Sequence, residues 1–153
     1  MASEIKQKLA DSATATITLT SLANNAGRGS SAIDNSSTLA PRADITVKIK
    51  TGSSGASATS CLEVYIIKSE NGTTYDDNFG GTDGTFTPIN ASKIGIISTP
   101  ANNTSYISVL NTEIAGTLPR KFCIGIVNKV GGTLSSTASD FSVTYTLKTD
   151  QTV

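Results

Sequence analysis

The chain has 153 residues, the length of one domain, and its 12 Lys and Arg balance its 12 Asp and Glu to a formal net charge of zero. This balance argues against a nucleic-acid-binding protein and against a polybasic membrane-surface protein, both of which show a basic excess. Histidine and tryptophan are absent, so the commonest general base and a sugar site built on stacked indoles are missing.

Residues 1–12 are predicted to form a short N-terminal arm. They carry scattered charges and lack the apolar run of a secretory signal, so we expect a cytoplasmic product without a membrane span. Ser3 as a helix cap, with Ile5 and Leu9 four residues apart, is enough for one or two helical turns.

Alternating apolar and polar residues predict strands along residues 13–153, which we interpret as one domain. The clearest segments are 13–22, 44–50, 62–66, 122–126 and 141–148, and shorter candidates are 85–89, 93–98 and 105–110. Segments with one apolar face and one polar or small face are typical of antiparallel sheets covered on one side. The predicted fold is all-β: a single antiparallel β-sandwich or jelly roll of about eight strands, with the strand order open.

Two connecting segments stand out between the predicted strands. Residues 70–73, Glu-Asn-Gly-Thr, predict a hairpin because Asn-Gly tolerates the positive φ angles of a type I′ turn. Residues 24–42 are too long for a structureless loop within a compact domain. We interpret them as a packed crossover or as an extended arm that contacts a neighbouring molecule.

The glycine-rich segment 75–84 contains oxygen ligands of the kind that hard cations prefer. Its weak candidate ligands for calcium are Asp76, Asp77, Asn78 and Asp83. The ligand spacing of an EF-hand is missing, and a solvated turn with Asx hydrogen bonds explains the same composition. No metal site and no cofactor is therefore predicted.

The remaining chemistry-bearing residues do not form a catalytic motif. Cys61 and Cys123 are expected to be free thiols in a cytoplasmic protein, with their pairing left open. Gly27-Arg28-Gly29 lacks the lysine and the following helix of a phosphate-binding loop. The Gly-x-Ser-x-Gly pattern of a serine nucleophile elbow is absent from the sequence. We predict no catalytic residues and no enzymatic activity.

Residues 22–36 (LANNAGRGSSAIDNS) resemble a family of small virion proteins of tailed bacteriophages. The matching positions are Ala26, Gly27, Arg28, Ser31, Ala32, Ile33, Asp34 and Asn35. The strand at 43–47, the turn at 51–59, and Leu118-Pro119 before the strand at 122–127 also fit the pattern. The resemblance implies a structural, non-enzymatic role with no catalytic residues to carry over.

We therefore expect a capsid decoration (cement) protein in the virion, made in the host cytoplasm, that binds across capsomers as a homo-oligomer, with a trimer expected. Its partner would be the major capsid protein or another virion protein, with no nucleic acid and no membrane. The contact elements would be residues 1–11 and 24–42, and the interface candidates are Ile5, Leu9, Arg28, Ile33, Asp34 and Arg42. Two alternatives stay open: a tail or baseplate accessory protein, and a carbohydrate-binding β-sandwich that uses calcium at the Asp-rich segment.

Overall fold

The structure is a computed structural model that describes residues 4–152, and over this range the chain is all-β. Eleven strands form two antiparallel sheets in the described range, which confirms the predicted fold class. The strands are β1 Ile5–Leu9, β2 Ala13–Thr14, β3 Gly27–Gly29, β4 Ile33–Asp34, β5 Arg42–Lys50, β6 Cys61–Ser69, β7 Gly84–Thr85, β8 Ser92–Ser98, β9 Ser105–Asn111, β10 Lys121–Lys129 and β11 Ser142–Thr152. Short 3-10 helices lie at Asp76–Asn78, Thr112–Ala115 and Ala138–Asp140.

The two sheets share one core between their inner faces. Sheet A has the order β1-β11-β5-β9, with β2 also on β11, and sheet B has the order β7-β3-β10-β6-β8, with β4 also on β10. The inner positions of the central strands are fully buried: Ala43, Ile45, Val47 and Ile49 on β5, Leu62, Val64 and Ile66 on β6, and Phe122, Ile124 and Ile126 on β10. The strict alternation of β5 between buried and half-exposed positions matches the predicted one-sided strand.

Sheet B is covered on both faces, so the prediction of one-sided coverage is wrong for β6 and β10. Their outer positions form a second buried cluster with three aromatic side chains from residues 70–91. The cluster contains Tyr65, Ile67, Cys123 and Val127 from the sheet, and Tyr75, Phe79 and Phe86 from the covering segment. Both strands are consequently buried along most of their length.

Two glycines let the covering segment approach sheet B closely. A Cβ atom at Gly125 would lie 2.6 Å from Cε1 of Phe86, and a Cβ atom at Gly29 would overlap the ring of Phe79. Phe86 also packs edge to face on Phe79, with ring centroids 6.1 Å apart. Gly29 of β3 and Gly125 of β10 therefore leave the space in which the rings of Phe79 and Phe86 pack on sheet B.

The N-terminal segment differs from its prediction. Ser3, the proposed helix cap, lies outside the described residues, and residues 5–9 form strand β1 instead of helical turns. The strand pairs antiparallel with β11, with Ile5 opposite Thr152 and Leu9 opposite Lys148. Pairing with an available sheet edge satisfies the backbone of a segment too short to be a stable helix alone.

The predicted strand at 13–22 is regular only at Ala13–Thr14. Ala15 still donates its N–H to Val143 O of sheet A, but Thr16 O accepts from Ser31 N beside sheet B. The segment thus crosses from one sheet to the other, which ends its ladder although its alternating side chains keep Ala15 and Leu19 buried.

The predicted hairpin at 70–73 is also wrong. Strand β6, which ends at Ser69, pairs with β8 and β10 and not with the strand that follows it. Asn71 instead accepts hydrogen bonds at Oδ1 from the N–H groups of Thr73 and Thr74. This Asx arrangement begins the excursion over sheet B.

Residues 24–42 are a packed crossover in the described chain. They contain β3 and β4, which pair with β10, and buried polar side chains hold them in place. Ser30 Oγ accepts from Ile124 N at 2.9 Å, and Asn35 Nδ2 donates to Ala40 O and Pro119 O. Most of the segment is therefore used inside the molecule.

Candidate interaction surface

The carboxylates of the Asp-rich segment point to three separate internal partners. Asp76 accepts from Lys68 N at 3.0 Å, and Asp77 accepts from three consecutive N–H groups at residues 89–91. Asp83 accepts from Arg28 Nε at 2.6 Å. Asn78, the residue after Asp77, has a left-handed backbone with a φ of 54°. Over residues 4–152, no group of three or more potential metal-binding side chains comes together.

The acidity of these carboxyls follows from the same contacts. Partial burial raises the pKa of Asp83, but hydrogen bonds from Arg28 and Thr18 outweigh it and leave the pKa below its ordinary value. Burial likewise raises the pKa of Asp77, and its three backbone donors outweigh that effect. Both side chains therefore serve as ionised acceptors that fasten the segment covering sheet B.

Three of the predicted interface residues lie in the part of the crossover that precedes Arg42 and β5, and two of these three have internal roles. Arg28 is held by Asp83, and Ile33 is a core residue that is almost completely buried. Asp34 is exposed and accepts a hydrogen bond from Ser36 N. Of this set, Asp34 is the residue whose side chain is available on the surface.

Arg42 lies on the outer face of sheet A in a balanced cluster of charges. Its Nη2 donates to Asp150 at 2.6 Å, and its Nη1 lies 3.5 Å from Glu113. Beside it, Lys148 Nζ pairs with Asp44 at 2.6 Å. Positively and negatively charged side chains are therefore paired with each other next to strand β1.

Ile5 and Leu9 lie on the same outer face as Arg42. Leu9 is opposite Lys148 and Lys148 is opposite Arg42, and directly opposed residues of antiparallel strands share a face. All five residues of β1 are exposed, with Ile5 74% and Leu9 58% accessible. We call Ile5, Gln7, Leu9, Arg42 and Asp150 the β1 surface.

The opposite margin of sheet A carries two exposed apolar residues that were not predicted as contact residues. Ile107 and Val109 of β9 are opposite Lys48 and Thr46 on the outer face, and they are 69% and 62% accessible. The sequence does indicate their exposure, because residues 105–110 place apolar side chains on both faces of the strand and one of those faces must lie outside the core. Sheet A therefore has a polar centre with apolar residues along both margins.

One groove and two free thiols lie apart from these surfaces. A groove of about 390 Å³ lies between residues 14–20 and 138–143, and its lining residues include no acid, base or thiol. Cys61 is opposite Lys129 and Cys123 is opposite Ile67, so the thiols lie about 20 Å apart along adjacent strands, too far for a disulfide. Burial raises the pKa of Cys123 to about 12, which suppresses the reactive thiolate.

No helix within residues 4–152 is both long and apolar enough to cross a membrane.

No protein-family model matches the chain, and no curated protein matches it either.

Proposed function

We propose that the chain is a non-enzymatic structural protein of a tailed-bacteriophage virion, a capsid decoration protein that binds across capsomers. The observation that carries the proposal is the β1 surface. Strand β1 adds an edge with five exposed residues to sheet A, and its apolar side chains point to the solvent. Apolar side chains flanked by polar groups are the usual anatomy of a protein interface.

The contacts of β1 suit a segment that binds a neighbour while the rest of the domain stays unchanged. Ile5 and Leu9 make no part of either buried core cluster. Their burial against another protein would contribute about 1.5–3 kcal/mol each. Arg42 and Asp150, already paired at 2.6 Å, supply a polar rim beside them.

The balance of charge supports assembly in many copies. Because the formal net charge is zero, neighbouring copies on a shell do not repel one another through a common charge. The β1 surface itself carries Arg42 against Asp150, and the adjacent pair of Lys148 and Asp44 is also neutral. Binding would then depend on shape and apolar contact more than on ionic strength.

The proposal is tested by quantitative mass spectrometry of particles purified from the lysate in which the chain is produced. We expect a ratio to the major shell protein near stoichiometric, because decoration occupies repeated lattice positions. A ratio about a hundredfold lower would move the protein to the tail or baseplate, and its absence from particles would overturn the virion role.

A further inference from the structure

The end strands of the two sheets differ in how they are protected from pairing with another chain. Edge strands are commonly blunted by lysine, proline, shortness or bulges. Among the described residues, β1 carries Lys6 and Lys8, and β8 carries Lys93 and pairs through a register shift at Val64/Tyr65. Strand β7 has two residues and is soon followed by Pro88.

Strand β9 has none of these protections. It is seven residues long and rich in β-branched and hydroxyl side chains. No charged residue occurs between residues 99 and 112, and the nearest proline, Pro100, precedes the strand by five positions. An uncharged, regular end strand with exposed apolar side chains is a template for strand pairing.

The backbone of β9 has hydrogen-bonding groups directed away from the sheet. Thr51 N donates to Thr104 O at 3.1 Å, which sets the ladder phase between β9 and β5. Because bonding alternates along an antiparallel pair, the N–H and C=O groups of Ile107 and Val109 face away from β5. Within residues 4–152, no other segment makes a backbone hydrogen bond to these two residues.

We propose that β9 pairs antiparallel with β9 of a second copy of the chain, about a two-fold axis at Ser108. This register places Ile107 opposite Val109 of the second copy, and Val109 opposite Ile107. Ser105 faces Asn111, and Tyr106 faces Leu110. Every outward backbone group between residues 105 and 111 then has a partner of the required kind.

The charges nearby favour a second copy of the same chain. Within the pairing, uncharged residues face uncharged residues throughout, so the strand is complementary to itself. The nearest outer-face lysine is Lys48 on β5, and its counterpart lies three strand spacings away, about 14 Å. That separation exceeds the screening length of about 10 Å at 0.1 M salt. The same pairing through β1 would place Lys6 opposite Lys8 and is disfavoured.

The pairing predicts a dimer in solution, in place of the trimer expected from the sequence. It joins the two copies of sheet A into one sheet with the order β1-β11-β5-β9-β9-β5-β11-β1. The β1 surfaces then lie at the two far margins of the joined sheet. This inference does not depend on the virion role, because it concerns the isolated chain.

The first test is the molar mass of the whole chain by light scattering after size-exclusion chromatography. We expect twice the chain mass of 15.7 kDa, and the monomer mass for Ile107→Lys/Val109→Lys. The matched control is Ile5→Lys/Leu9→Lys, which adds the same charge to the other margin of sheet A and should stay dimeric. A wild-type monomer at the highest soluble concentration overturns the proposal, as does a trimer or equal dissociation of both variants.

Two further measurements test the β9 pairing if the lysine variant does not fold. Ile107→Thr/Val109→Thr retains β-branched residues and should still shift the wild-type dimer toward monomer. In the wild-type protein, amide hydrogen exchange should be slow at Ile107 and Val109, because those N–H groups are bonded across the dimer. Fast exchange at both positions, beside slow exchange at Tyr106 and Ser108, would contradict the pairing.

Discussion

Arg28 donates from Nε to Oδ1 of Asp83 across 2.6 Å, and this contact joins the crossover of residues 24–42 to the segment that covers sheet B. The same carboxylate accepts from the hydroxyl and the N–H of Thr18. Three chain segments thus meet at a single side chain. The arginine singled out by the sequence resemblance therefore stabilises the fold.

Replacing Asp83 by Asn should make stability less dependent on acid pH. The folded pKa of Asp83 lies below the ordinary 3.8, so its contribution is present above that value and is lost as pH falls through the folded pKa. At pH 7 we expect Asp83→Asn to lower the unfolding free energy by about 1–3 kcal/mol. The difference from the wild type should shrink below about pH 3.8. Urea unfolding at several pH values measures it, with the exposed Asp11→Asn as the control.

Adding one methyl group at Gly125 should disturb the aromatic layer over sheet B. The new Cβ would lie 2.6 Å from Phe86 Cε1, so the ring must move from its place against Tyr65. We expect Gly125→Ala to cost about 1–3 kcal/mol in thermal or urea unfolding. Gly80→Ala is the matched control because its nearest neighbour is 3.9 Å away. Equal stability of the two variants would contradict the close packing of Phe86 on Gly125.

Polar replacement of the two apolar residues on β1 should weaken attachment to particles without unfolding the domain. Ile5→Ser/Leu9→Ser removes two exposed side chains, so the melting temperature should change little. We expect at least a tenfold loss of affinity in a sedimentation assay with stripped particles. Ile89→Ser, an exposed isoleucine on the covering segment, is the control. Unchanged binding of the β1 variant would exclude this surface as the contact.

The two thiols should react very differently. Cys123 is completely buried with a pKa raised to about 12, whereas Cys61 is partly accessible. In native protein at pH 8, a thiol reagent should label Cys61 and leave Cys123 unmodified until denaturant is added. Mass spectrometry of the labelled peptides gives the result, and Cys61→Ser should remove all native labelling. Rapid native labelling of Cys123 would show that the covering segment opens readily.

The sequence was most informative where one strand face meets the core and the other meets solvent. Strand β5 alternates strictly because sheet A is covered on one side, and its pattern predicted it closely. Strand β10 carries Cys123 and Gly125 at its outer positions, which looked like a small, uncovered face. Their partners, Phe79 and Phe86, arrive from a distant segment without regular periodicity, so local pattern could not assign them.

The candidate surface was predicted only in part for a similar reason. Ile5 and Leu9 were chosen as contact residues and lie on an exposed strand, although a helix was expected there. Ile33 was chosen with them but is buried in the core. The burial of Ile33 depends on the pairing of β4 with β10, which joins residues about ninety positions apart in the sequence. The edge position of β9 likewise follows from sheet order, which a single sequence does not determine.

The pairing of β1 with β11 has a practical consequence for engineering. Ile5 lies directly opposite Thr152, about 5 Å away across the ladder. A linker of a few residues could therefore join Thr152 directly to Ile5, and new chain ends could be opened in an exposed turn such as 70–73. Such a circular permutant would keep β1 and β11 in place. A peptide fused to its new chain ends would lie on the side of sheet B, opposite β1 and β11.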